Sequence, residues 1–370
     1  MPQMPVATAM TAAVVQDFDR PMVVETLDLR APDEHEIIVR TEASSYCITD
    51  DRQARGLIGR TDPPMILGHS AVGVVEEVGS AVSRMRRGDR VIVTASSECG
   101  VCYFCSRGRS DQCELHFVPG RHVANRPDGT SIYAGAGTSA TYASYMNLRE
   151  ISAFRVDSEL PADVLSLVGC GVTSGLGAVF NVGQVTPGSS VVVVGAGQYG
   201  LWVIQGCRVA GAEKIIVVEP DAQRRATAME LGATHEVDPA DGDPIGAVLA
   251  LTGGWGADFA FEAAGPASVL EQTFFMARNA GTVILAGVVS RDEVVQLPAQ
   301  ILAVRGRTIK SVQNGNLRAT RDVPMFVRML ESGMFETAPF LTAQYTLDRM
   351  DEVSEAANTG STLSNVIVFD

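Results

Sequence analysis

Four consecutive valines, Val191 to Val194, run directly into Gly195-Ala196-Gly197-Gln198-Tyr199-Gly200, and a stretch of helical character, Tyr199 to Ala210, follows at once. A short continuous apolar run that ends in this glycine pattern and opens a helix reads as a fully buried strand, a tight turn and a helix packed back on the sheet, the first unit of a parallel α/β fold. Gly195 permits the turn, Gly197 lets a pyrophosphate approach the backbone, and Gly200 lets helix and strand pack closely. The helix start, with Gln198 and Tyr199 in its first turn, offers amide N–H groups and partial positive charge to an anion. A second strand, Lys214 to Glu219, ends in a carboxylate about 20 residues beyond Gly200, where an acid accepts hydrogen bonds from ribose hydroxyls. That charge would repel a 2′-phosphate, so NAD(H) is expected in preference to NADP(H). Arg224, counted with the cofactor residues, and Arg225 follow closely enough to modify this preference.

The same rhythm continues with strands at Asp258 to Glu262 and Thr282 to Gly287 and a helix at Pro266 to Arg278 between them, the second half of a doubly wound sheet. The N-terminal part differs. Short β-rich runs at Glu36 to Thr41, Ser70 to Val78 and Asp89 to Thr94, separated by glycine, proline and charged turns, suggest a compact β-barrel-like module. After Arg307 the pattern is less regular, with an amphipathic helix at Thr320 to Ser332 and a terminal strand at Asn365 to Phe369. A chain of 370 residues accommodates two such domains, each with its own core.

A formal net charge of −14 disfavours a nucleic-acid partner, which requires clustered Lys and Arg. Met1 to Thr11 reads as a flexible tail without the basic and apolar regions of a signal peptide, and no apolar run approaches bilayer length, so a cytoplasmic protein away from membranes is expected. Phe117, Tyr133 and Trp255 are read as packing aromatics, and Cys207 as a buried small apolar residue.

Four of the seven cysteines fall in one loop, Cys99, Cys102, Cys105 and Cys113, spaced C-x2-C-x2-C-x7-C, with Gly100 and Gly108 allowing the chain to curl. Four thiolates so close together suit a closed tetrahedral zinc site of structural role. Cys47, His69 and Cys170 are scattered, in Tyr46-Cys47-Ile48-Thr49-Asp50, Gly68-His69-Ser70 and Gly169-Cys170-Gly171. Two thiolates and an imidazole could hold a zinc with one open position, but their spacing alone does not bring them together.

Together with Gly73-Val74-Val75-Glu76 and Gly88-Asp89-Arg90-Val91, these motifs resemble, along nearly the whole chain and in the same order, the zinc-dependent alcohol dehydrogenases of the medium-chain dehydrogenase/reductase superfamily. The resemblance implies a GroES-like β-rich catalytic domain from residues 1–171 and 310–370, and a Rossmann coenzyme domain from 172–309. It implies that Cys47, His69 and Cys170 bind a catalytic zinc, that Asp50 supports the site, that Thr49 takes the alcohol proton, and that Ser174 lies beside the nicotinamide. Two zinc ions per chain, NAD(H), a small alcohol or aldehyde substrate and a homodimer or homotetramer follow. The chain departs from the family pattern at Ser70, where a glutamate is common, at Ile48 and Ser364, where basic groups often lie, and at Arg52, where some members place a histidine. Alternatives are a zinc-dependent NAD(P)H reductase of carbonyls or activated double bonds, a thiol-dependent formaldehyde dehydrogenase, and a non-catalytic nucleotide-binding structural protein.

Overall fold

The computed structural model describes residues 8–59, 61–116, 118, 120–287 and 293–369. The chain divides into two compact units, Met1–Cys170 with Arg318–Gly333 and Thr337–Asp370, and Gly171–Leu317 with Met334–Glu336.

In the first unit, strands Ala9–Val15, Val23–Leu29, His122–Asn125, Ser131–Ala134 and Met65–Ile66 close into a barrel. A seven-stranded sheet runs Ala153–Arg155, Arg90–Val93, Ala71–Val78, Glu36–Tyr46, Asn365–Val368, Ala343–Tyr345, with Tyr145–Arg149 paired to the start of Glu36–Tyr46. Met10, Ala12, Val14, Leu27, Met65 and Ile132 fill the barrel core, and Ile37, Val39, Val75, Val91 and Met146 a neighbouring one. The expected tail therefore stops short: Ala9–Thr11 pair with Thr26–Asp28, because burying Met10 fixes this end in the barrel. Residues 1–7 and Phe117 lie outside the described residues.

The second unit is a six-stranded, all-parallel sheet in the order His235–Val237, Lys214–Val218, Ser190–Val194, Ala257–Glu262, Ala277–Leu285, Thr308–Ser311. In chain order this is 3-2-1-4-5-6, the dinucleotide-binding arrangement, whose switch point lies between Ser190–Val194 and Ala257–Glu262. Val191, Val192 and Val193 are fully buried, as a central parallel strand covered on both faces requires.

Three features differ from the sequence expectations. Thr308–Ser311 is the sixth strand, and the turn after it packs on Thr173 and Ser174, so this unit runs to Leu317 rather than 309. The helix Ala267–Met276 ends earlier than expected, because Ala277 already pairs with Ala257 in the sheet. One helical stretch, Ala162–Gly183, is apolar and long enough to cross a membrane, but 78% of that window is buried, which is the character of a core helix. Cys207 is buried in the helix Gln198–Val209, whereas Trp255, expected to pack, is 78% exposed between Gly254 and Gly256.

Candidate functional site

Cys47, His69 and Cys170 come from three separate places, the N-cap of the helix Ile48–Ala54, the turn before Ala71–Val78, and the helical stretch after Ala162–Leu167. Their ligand atoms lie within 4.8 Å of one another. His69 Nε2 is 3.3 Å from Cys170 Sγ, while its Nδ1 is 3.1 Å from Asp50 Oδ1. Asp50 is itself buried, sits in the first turn of Ile48–Ala54, and accepts the Gly68 N–H at 3.3 Å and the Tyr142 hydroxyl at 2.6 Å. This carboxylate, by accepting from Nδ1, leaves Nε2 as the ring nitrogen on the side of the two sulfurs, the one that would face a metal. Thr49 Oγ1 donates to Cys47 Sγ at 3.1 Å, so a hydroxyl stands beside one of the three donors.

The three donors fit a zinc ion. Bonds of about 2.3 Å to sulfur and about 2.0 Å to nitrogen, set tetrahedrally, leave donor atoms roughly 3.5–3.8 Å apart. Electrostatics agree. The hydrogen bond from Cys170 holds the Cys47 thiol well below its usual range despite burial, and the same bond together with burial pushes Cys170 up. Burial works against a charge on His69, yet the Asp50 carboxylate and then Cys170 hold it well above its ordinary value. Burial, and then the Asp50 charge, push the Tyr142 hydroxyl well above the tyrosine range, which keeps it a donor.

The second cluster is local. The sulfurs of Cys99, Cys102, Cys105 and Cys113 also lie within 4.8 Å of one another, with Cys99 and Cys105 at 3.8 Å. Amide N–H groups of Cys102 and Cys105 point at the sulfurs of Cys99 and Cys102, each at 3.4 Å. Burial opposes ionisation here, but the backbone donors of Cys105 and Glu114 bring Cys102 down to about 6, whereas burial raises Cys105 and Cys113. Four sulfurs, with no further donor in the group among the described residues, are a set that would suit a closed tetrahedral zinc site.

In the parallel unit, Gly195 turns the chain at φ +103°, and a Cβ at Gly200 would lie 2.0 Å from the Gly195 carbonyl oxygen. The space over Gly197 is open, and Gly197 caps Gln198–Val209 without a side-chain acceptor, so a pyrophosphate fits against those amides. Gln198 and Tyr199 occupy that first turn. Glu219 is buried, and its carboxylate accepts from the Ala196 N–H at 2.7 Å and the Asp221 N–H at 3.0 Å, which ties the second strand to the glycine turn. The Asp221 carboxylate caps Ala222–Leu231 by accepting the Arg224 N–H at 2.9 Å, and Arg225 is held by Asp238 at 2.9 Å and by the Glu219 carbonyl at 2.7 Å. The hydroxyls of Ser174 and Thr173 donate to Asn314 Oδ1 at 2.8 and 3.1 Å. Asn314 and Tyr142 carried no signal in the sequence beyond a polar turn and a packing aromatic. Of the departures from the family pattern, Ser364 is buried and Ile48 is exposed.

A cavity of about 140 Å³ in the first unit is lined by Ser97, His116, Arg121, Thr138, Ser139 and Arg149 among others. Burial, and then the charge on His69, bring His116 down to about 4, leaving it neutral, while Arg121 Nη2 is buried without a partner. Such a lining favours polar or anionic groups over apolar ones.

Comparison with known proteins agrees with this geometry. Residues 33–158 match the alcohol dehydrogenase GroES-like domain, and residues 199–332 match the zinc-binding dehydrogenase family. The chain is 32% identical to an S-(hydroxymethyl)glutathione dehydrogenase of Synechocystis over 97% of its own length and 99% of the relative. It is also 32% identical to a geraniol dehydrogenase of Castellaniella defragrans, over 97% of each chain. A crystal structure of an alcohol dehydrogenase zinc-binding domain protein from Burkholderia ambifaria superposes with a TM-score of 0.92 at 30% identity, covering 98% of this chain and 99% of that one. The chain therefore belongs to the zinc-dependent alcohol dehydrogenase family of the medium-chain dehydrogenase/reductase superfamily.

Proposed function

We propose that this protein is an NAD(H)-linked zinc alcohol dehydrogenase that transfers a hydride between a primary or secondary alcohol and the nicotinamide, and reduces the aldehyde or ketone in reverse. The observation that carries the reading is the convergence of Cys47, His69 and Cys170 within 4.8 Å, beside the Thr49 hydroxyl. Three protein donors rather than four are the set of a metal that keeps a position for substrate.

Zinc bound there supplies Lewis acidity toward the alcohol oxygen, and the nicotinamide nucleotide supplies the hydride acceptor. Cys47 and Cys170 bind as thiolates and His69 through Nε2, with Asp50 fixing the imidazole by its Nδ1 hydrogen bond. Thr49 Oγ1 accepts the proton that leaves the substrate hydroxyl and passes it outward. Cys99, Cys102, Cys105 and Cys113 hold the second zinc and with it their loop. Gly195, Gly197, Gln198, Tyr199 and Gly200 cradle the pyrophosphate, with Ser174 and Arg224 near the nucleotide. Glu219 at the end of its strand, and the engagement of Arg225 with Asp238, support NAD(H) over NADP(H). Assembly as a homodimer or homotetramer is supported by the exposed Ile309 on the edge strand Thr308–Ser311 and the exposed Val304 at the end of the helix Ala299–Val304.

The test is native mass spectrometry of protein purified without added metal, followed by nicotinamide absorbance with a panel of alcohols and aldehydes. The panel includes carboxylate-bearing alcohols, given the cationic cavity, and formaldehyde with and without glutathione, given the Synechocystis relative. Two zincs per chain and NAD reduction by an alcohol are expected. Cys170→Ala should hold one zinc and lose turnover. A protein with both zincs and no turnover in either direction sinks the proposal.

A further inference from the structure

Tyr142 is fully buried between the strands Ser131–Ala134 and Tyr145–Arg149. Its hydroxyl donates to Asp50 Oδ2 at 2.6 Å and accepts the Cys47 amide N–H at 3.4 Å. The other oxygen of the same carboxylate faces His69 Nδ1. One hydroxyl therefore reaches two of the three candidate metal ligands, Cys47 through its backbone and His69 through Asp50. The ring has little freedom. It stacks on Tyr46 with centroids 5.5 Å apart, while the Tyr142 backbone N–H donates to the Leu67 carbonyl at 3.2 Å and the Tyr142 backbone carbonyl accepts the Ala13 N–H at 2.9 Å.

The two stacked tyrosines serve neighbouring carboxylates differently. Tyr46 turns its hydroxyl toward Asp51 Oδ1 at a long 3.4 Å, and Asp51 is already held by Arg55 at 2.8 Å, Ser354 at 2.6 Å and Asn358 at 2.9 Å. Among the described residues, the donor to Asp50 Oδ2 is Tyr142. Without that hydroxyl, the carboxylate keeps the Gly68 N–H at 3.3 Å on Oδ1 but loses its shorter anchor on Oδ2, so it turns more freely about its Cβ–Cγ bond and holds the direction of the imidazole less firmly.

We propose that Tyr142 is a positioning residue for the catalytic metal, acting through Asp50 and the Cys47 amide; this rests on the metal reading of Cys47, His69 and Cys170. Outer partners of metal ligands are commonly worth about 10–100-fold in affinity or activity.

The experiment uses the full-length, zinc-loaded protein and the variants Tyr142→Phe, Asp50→Asn, their combination, and Tyr46→Phe as a control from the same stack. Zinc affinity is measured by chelator competition with native mass spectrometry counting each zinc. The visible spectrum of the cobalt-substituted protein is recorded, with circular dichroism to check folding. Tyr142→Phe should weaken one of the two zincs by about 10–100-fold, shift the cobalt bands, and add little on top of Asp50→Asn. Tyr46→Phe should change neither readout. A wild-type affinity and cobalt spectrum in Tyr142→Phe, or full additivity with Asp50→Asn, overturns the inference. Wild-type protein that holds zinc only at the four cysteines overturns the metal reading itself, and this inference with it.

Discussion

The Ser70 hydroxyl donates to the Ser166 carbonyl at 2.5 Å, so the residue that follows His69 is tied to the helix that leads to Cys170. Where the family commonly has a glutamate, this chain uses a small buried side chain to bind the segments of two proposed metal ligands together. The packing there is tight: a Cβ at Gly169 would lie 2.2 Å from the Val93 carbonyl oxygen and 2.6 Å from Ser70 Oγ.

Gly169→Ala should therefore displace Cys170. Overpacking of this kind costs about 1–3 kcal/mol, and the weakened site should lose one zinc per chain more readily than the wild type. Thermal denaturation and metal analysis check this. An unchanged melting temperature with full zinc content would show that the backbone yields without cost.

Thr49 is expected to move a proton rather than hold the metal. Replacement by Val should leave zinc content unaltered and reduce kcat by roughly 10²–10⁴-fold, while Ser should restore most of the rate. Turnover of Thr49→Val at the wild-type rate would remove Thr49 from the proton path.

Cys102→Ser addresses the other cluster. Because metal binding at a closed four-sulfur site is coupled to folding of its loop, the variant should lose one zinc and melt at least several degrees lower. Its remaining folded fraction should keep the kcat of the wild type. A wild-type melting curve argues against a structural zinc.

Glu219 holds the glycine turn and is proposed to bind the nucleotide, and one variant separates the two. Glu219→Ala removes the acceptor for the Ala196 and Asp221 amides, which should weaken binding of both nucleotides by loosening the glycine turn. Loss of the carboxylate should in addition lower the NAD/NADP ratio of kcat/KM by about tenfold, roughly 1.4 kcal/mol. Weaker binding of both with a constant ratio would confine Glu219 to holding the turn.

The parallel sheet and the four-cysteine loop were legible in the residues because both are local. A buried central strand reads as unbroken valines, a dinucleotide turn needs glycines at fixed offsets, and four thiols within fifteen residues, Cys99 to Cys113, have few other uses. The sixth strand was not legible, since Thr308–Ser311 is an edge strand whose largely exposed residues lack the apolar run of its neighbours. Nor was the place of Ala9–Thr11, which depends on a partner strand about 15 residues away.

The sequence by itself determined the fold class, the four-cysteine loop and the glycine turn, since each rests on short-range periodicity or spacing. Only the tertiary structure brought Cys47, His69 and Cys170 together, put Asp50 behind the imidazole, and set Tyr142 on Asp50. Those contacts join positions up to 123 residues apart, as Cys47 and Cys170 are, and no local pattern encodes them. They exist because a barrel core, a helix N-terminus and a buried helix hold each segment in place where the side chains meet, which is how scattered residues acquire a fixed geometry.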